Sequence, residues 1–290
     1  MIDKLTNMKR ILAFLIMCLV VLAALAQGEM LRIGYEHHLK VYKDKTKERI
    51  DKYILHTDYS NSVFYNPSTY FLDKSAHDDA ARTAYGQMAS AMQAKGQGGM
   101  VPSRTVSTYV FKRFDDKALR AYVDSNEEYI WYDEPFDEME WEIISDSTRT
   151  VLNYECLMAQ TDYHGRHWTA WFAPEIPVHD GPWKFKGLPG LILMAEDSTG
   201  NHKFVANGLE YTGEPMPKME VPERYSRGER RDFLKLSSKS LERTINEIKA
   251  LYPGANIKFQ VAGGDELDLN GMSDYMSTLD PDFKGLETDY

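Results

Sequence analysis

Four side chains in the middle of the chain have the right types for metal binding or nucleophilic attack. Cys156, His164, His167 and His179 lie close together in sequence. Zinc takes three or four N, S or O donors in a tetrahedral set, so these residues form a candidate metal centre. A thiol beside an imidazole is also the pairing of a cysteine nucleophile with its base. Either arrangement would make the protein a metal-dependent or cysteine hydrolase. Against both stands the spacing, because two histidines three apart on a turn or strand need not point the same way. Cys156 also falls in phase with Leu152, Tyr154 and Met158, which is the place of a small buried hydrophobe. The acidic residues Asp133, Glu134, Asp137, Glu138, Glu140 and Glu142 offer paired carboxylates. Their crowding reads more simply as a solvated edge.

A second set is suited to binding. Arg166, Trp168, Trp171, Trp183, Lys184 and Phe185 lie along a stretch stiffened by Pro174, Pro177, Pro182 and Pro189. Each proline removes a backbone donor, so the connector from 174 to 189 is neither a regular helix nor a central strand. Aromatic and cationic groups on such a frame can line a groove for an apolar or peptide-like ligand. They can equally pack a stiff corner that closes one end of a core.

The elements that must hold these residues follow from periodicity. Between 31 and 43, Ile33, Tyr35, Leu39 and Val41 alternate with Arg32, Glu36, His38 and Lys40, the period of a half-buried strand. Further strands are expected at 50–58, 62–65, 105–113, 119–124, 128–133, 141–145, 151–161, 166–174, 190–197 and 202–211, with a last one near 256–261. Short strands joined by tight connectors give an antiparallel meander. Helical spacing appears at 74–95 and again at 228–251. The expected fold is α+β: a large, curved, half-barrel-like antiparallel sheet of eight to eleven strands, with two main helices packed on it.

The ends bound the compartment. Lys9 and Arg10 precede an uncharged apolar run from Ile11 to Leu25, which closes on Ala24-Leu25-Ala26. That is the pattern of a cleavable signal peptide over 1–26, too short for a membrane anchor of ~20 residues. Cys18 lies inside the run and leaves with it. Without residues 1–26 the chain carries 31 basic and 43 acidic residues, a formal charge of −12. An acidic protein of this kind is a poor partner for nucleic acid or anionic lipid. Cys156 is then the single cysteine, so no internal disulfide forms. One domain is expected over 27–262, followed by an acidic, mobile tail over 263–290.

The motifs stand in one ordered series: Tyr154-x-Cys156, Gly165-Arg166-His167-Trp168, Ala170-Trp171-Phe172, Glu175-Ile176-Pro177, Gly181-Pro182-Trp183-Lys184-Phe185 and Gly187-Leu188-Pro189-Gly190-Leu191-Ile192. Over residues 137–212 this resembles the GLPGLI family, exported proteins of Gram-negative bacteria without an established activity. The resemblance implies a periplasmic or secreted protein and supplies neither catalytic residues nor a cofactor. The leading expectation is a non-enzymatic binding or accessory protein. An envelope-interaction protein is the structural alternative to the hydrolase.

Overall fold

The computed structural model describes residues 30–96, 108–125, 128–137, 139–217, 225–237, 250–251, 259–260, 266–280 and 282–289. The leader expected over 1–26 lies outside them. No helix among the described residues is long and apolar enough to cross a membrane.

Two meanders make one sheet. The first runs through β1 (Met30–Leu39), β2 (Arg49–Thr57), β3 (Asn61–Tyr65), β4 (Tyr109–Arg113), β5 (Ala118–Ser125) and β6 (Glu128–Pro135). The second runs through β7 (Glu142–Val151), β8 (Tyr154–Tyr163), β9 (Arg166–Ala173), β10 (Leu191–Asp197) and β11 (His202–Thr212). Pairing of β1 with β11 joins them, and β12 (Ser226–Arg227) adds a short strand parallel to β6. The result is a twelve-stranded open sheet, antiparallel except at β12. The twelfth strand has only two residues, too few to leave a pattern in the sequence. A separate hairpin pairs β13 (Phe259–Gln260) with β14 (Glu266–Leu267), where the last strand was expected.

Alternation sets the faces. Along β1, Leu31, Ile33, Tyr35, His37 and Leu39 are buried while their neighbours are half-exposed. The main core joins Tyr35, Leu55, Phe64, Val110 and Leu119 of the first meander to Trp168, Phe172, Leu193 and Phe204 of the second. Covering this area of apolar surface is the dominant stabilising term. The opposite face of β3–β6 carries Val63, Tyr65, Tyr109 and Tyr122, covered by Tyr225, Tyr70 and Met216. One edge is β7, which is mostly exposed and broken by a register shift between Ile144 and Thr148. Such irregularity protects an edge strand from pairing with another chain.

The first expected helix is divided in two. The spacing from 74 to 95 predicts one helix, but the chain forms α1 (Pro67–His77) and α2 (Asp79–Ala94). Asn66 accepts from the Thr69 amide, with Pro67 in the first turn, so α1 starts early. Asp78 is extended and accepts from the amides of Ala80 and Ala81, so it ends one helix by capping the next. Of the helix expected at 228–251, α3 (Arg230–Ser237) is present and 238–249 lie outside the described residues. A fourth helix, α4 (Leu269–Ser277), lies in the region expected to be an irregular tail.

Candidate functional site

The connector from β9 to β10 is the structural centre of the motif region. It folds back under the sheet rather than over its surface. Val178, Trp183, Phe185, Leu188, Leu191 and Ile192 are all buried in the main core. The backbone pairs with itself: the Gly187 amide donates to His179 O at 3.0 Å, Leu191 to Ile176 O at 3.0 Å and Ile192 to Asp180 O at 3.0 Å. Gly190 has no room for a side chain, since a Cβ would lie 2.3 Å from Ala173 O. Trp183 sits at φ 53°, a conformation a bulky residue adopts only when its surroundings dictate it. The hexapeptide is thus the closing turn of an internal plug.

Two buried lysines tie this plug to the sheet. Lys112 of β4 pairs with Asp180, both fully buried, and its ammonium also donates to Gly181 O at 2.8 Å and Phe185 O at 3.2 Å. Burial pulls the Lys112 ammonium below its ordinary pKa, against the opposing pull of Asp180. Lys184 lies in a larger group. Its Nζ is 2.7 Å from Glu134 of β6 and 2.6 Å from Glu287, with Tyr132 OH at 3.4 Å. Burial works against this charge, but Tyr132, Glu287 and Glu134 together raise its pKa above the ordinary value.

Arg230, at the start of α3, completes the group. Its Nε is 2.9 Å from Glu134 and also contacts Glu287, while a terminal nitrogen contacts Asp289. His164 sits beside it at φ 50° in the turn between β8 and β9. Its Nδ1 lies 2.8 Å from Arg230 and 3.2 Å from Asp289, and its Nε2 faces Glu134 at 3.5 Å. A neutral ring accepts from the guanidinium, whereas a protonated one would donate to the carboxylate. Burial, then the neighbouring Lys184, holds the His164 pKa below its usual value.

The last described stretch of the chain is part of this site. Arg166 donates to Lys284 O at 2.8 Å and to Gly285 O at 2.6 Å while pairing with Asp197 at 2.6 Å. His202 Nε2 donates to Lys284 O at 2.8 Å, and its Nδ1 meets His37 Nε2 at 3.2 Å. The Thr288 amide donates to His164 O at 2.9 Å, and Leu286 packs against the core. Residues 282–289, expected to belong to a mobile tail, are therefore docked with Glu287 buried.

The residues singled out from the sequence separate accordingly. Trp168 and Trp183 pack 5.9 Å apart with Phe185 between them, all buried. Trp171 points to the opposite face, where the Arg149 guanidinium stacks 4.5 Å from its centroid. Arg166 and Lys184 are buried in ion pairs. Gly187 and Pro189 are exposed; Leu188, Gly190, Leu191 and Ile192 are buried. His164, His167, His179 and Cys156 do not converge. His167 pairs with Asp162 on the surface and His179 is exposed. Cys156 is a free, buried thiol pushed up to about 11 by burial, the opposite of an activated nucleophile.

A different trio comes together. Ligand atoms of Glu134, His164 and Glu287 lie within 4.8 Å of one another. Both carboxylates are already held by the cations of Lys184 and Arg230, so the set does not suit a divalent metal. Glu134 is hidden within an acidic run whose described members Asp133, Asp137, Glu140 and Glu142 face solvent; only its place on the inward side of β6, level with Tyr132, marks it. Lys186 is a further buried lysine, set 4.6 Å from the Phe136 ring and lowered by burial to about 8.

A family described as "Protein of unknown function (Porph_ging)" matches residues 158–194, the β8-to-β10 motif region. No curated protein matches the chain. Two solved structures of PNGF-II, in the P21 and C2 space groups, are similar to it at 12% and 11% identity with TM-scores of 0.47 and 0.46. Each likeness covers 73% of this chain and 33% of the other, so the chain spans about a third of their length.

Proposed function

We propose that this is an exported, non-enzymatic binding or accessory protein that holds an extended, peptide-like segment at the polar end of its sheet. The carrying observation is how residues 282–289 are held. Arg166 and His202 donate to the carbonyls of Lys284 and Gly285, and Thr288 donates its amide to His164 O. Side chains that bond main-chain groups recognise a peptide backbone largely regardless of its sequence. The apolar alternative has less support, because Trp183, Phe185, Leu188 and Ile192 already fill the inner face.

The sheet in this reading is a half-barrel. Its strands β6 and β7 lie ten positions apart in the sheet order yet are joined by residues 136–141. That link reaches about 25 Å at most. Ten spacings of a flat sheet would need about 48 Å. Curling the sheet brings the two ends together around the plug. The apolar run of 11–25 and its small-residue end support a periplasmic or secreted location, reached by cleavage after residue 26.

The test is native mass spectrometry and thermal shift on full-length protein purified from its host. We expect co-purifying peptide, and stabilisation by peptide pools added back. Protein that arrives ligand-free and whose Tm no peptide pool raises would overturn the reading.

A further inference from the structure

We infer that the groove under residues 282–289 selects acidic peptides, and that this stretch of the chain is an internal stand-in for an acidic segment of a partner protein. The inference rests on the peptide-binding reading above and adds the class of ligand.

The charges around the stretch are unequal. The groove itself contributes Lys184 and Arg230 as cations and, among the described residues, Glu134 as the single carboxylate in contact with them. Lys184 is 1% exposed and Arg230 20%. The docked stretch supplies two more carboxylates, Glu287 to both cations and Asp289 to Arg230 and His164. With the stretch withdrawn, two cations would face one carboxylate in a slot that the stretch itself had covered. A buried charge left without its partner is strongly unfavourable, so the vacated slot demands an anion. Burial alone would raise the Glu287 carboxyl, yet Lys184, His164 and Arg230 hold it below its usual range.

The demand is specific in shape as well as sign. Glu287 and Asp289 are two apart, the spacing of side chains on one side of an extended backbone. Between them Thr288 pairs with the turn, its amide to His164 O at 2.9 Å and its hydroxyl to Gly165 O at 3.0 Å. Upstream, Leu286 enters the apolar core, and Arg166 and His202 hold the carbonyls of 284 and 285. The pattern recognised is an extended apolar–acidic–x–acidic segment. Lys184 belongs to the Gly181-Pro182-Trp183-Lys184-Phe185 motif, so the motif holds the anion-binding group deep in the fold while Arg230 guards its rim.

The experiment uses the full-length chain carrying Glu287→Gln and Asp289→Asn, which weakens its own docked stretch. Two labelled synthetic peptides are titrated by fluorescence anisotropy: one with the sequence of residues 280–289, the other with Gln and Asn at the two acidic positions. We expect the acidic peptide to bind the variant at least tenfold more tightly than the neutral one, and at least tenfold more tightly than it binds the unsubstituted chain. Equal binding of both peptides would overturn acid selectivity while leaving the peptide-binding reading intact. Binding of neither would overturn both. A concentration-dependent dimer of the unsubstituted chain in light scattering would identify the occupant as a second copy's own stretch and overturn the partner proposal. Should the variant fail to fold, hydrogen exchange on the unsubstituted chain decides: excess acidic peptide should raise exchange of the 282–289 amides at least threefold, and no change would overturn the inference.

Discussion

Lys112 and Lys184 enter the same sheet interior and meet opposite surroundings. Lys112 comes from the sheet and finds its carboxylate and both carbonyl acceptors within six residues of the plug, Asp180 to Phe185. Lys184 comes from the plug and finds its carboxylates on β6 and near the end of the chain. The first pair is sealed between sheet and plug, with Asp180 Oδ2 left unbonded. The second is closed only while residues 282–289 are docked. The same ion-pair chemistry therefore fastens a permanent element in one place and a separable one in the other. The balance between burial and partner groups decides the sign of each shift: burial prevails at Lys112 against Asp180 alone and is outweighed at Lys184 by Tyr132, Glu287 and Glu134.

The largest effect should come from breaking the sealed pair. Asp180→Ala leaves the Lys112 ammonium in a dry interior, which costs about 3–5 kcal/mol of global stability. Urea unfolding measures it, and a loss below about 1 kcal/mol would mean the interior is wetter than its full burial implies. Gly190→Ala comes next. Its added methyl meets Ala173 O at 2.3 Å, a backbone atom that cannot yield alone. Overpacking of this kind costs about 2–3 kcal/mol. The same urea curves should show it without any change in peptide affinity, because the substitution touches the plug and not the groove.

How much of this comparison is readable in the sequence depends on distance along the chain. Alternation is local, so strands such as Met30–Leu39 and Arg166–Ala173 stand close to where their patterns put them. The stiff connector is also legible, because four prolines exclude regular structure whatever lies around them. What it packs against is not: tryptophans at 168 and 171 look equivalent until the pleat sends them to opposite faces. The partners of Lys184 are 50 and 103 residues away. Glu134 and Glu287 differ from their acidic neighbours only by the face they occupy, and no spacing rule reaches across the sheet. The histidine and cysteine set fails for the reciprocal reason, since nearness in sequence does not give convergence in space.

Releasing the separable element should have a smaller and more local effect. Glu287→Gln keeps the shape but removes the charge that answers Lys184 and Arg230. A hydrogen bond to a charged group contributes about 1.5–3 kcal/mol, and here most of the loss should fall on docking rather than on global unfolding. Hydrogen exchange of residues 282–289 should rise at least tenfold while the plug, 174–190, keeps its protection. Equal deprotection of both segments would erase the distinction between them.

Acid should act in the same direction, most gently. Burial holds His202 down to about 4, and His164 is lowered for the same first reason. Both bind a proton less readily when docked than when the site opens, where the ordinary pKa of about 6.5 applies. Their contribution is therefore complete above about pH 6.5 and declines as pH falls toward the folded values. Glu287 and Asp289 are held low by Lys184, Arg230 and His164, so they stay charged in this range and add their own loss only at lower pH. Around His202 the facing groups are His37, Asp197, Arg166 and Arg49, and a proton on the ring would meet two of those cations. From pH 7.5 to 5.5, exchange of 282–289 corrected for its intrinsic rate should rise a few-fold against a constant plug. A rise shared by both segments would place the pH response in the whole fold. No rise at all would show that the histidines titrate without loosening the docked stretch.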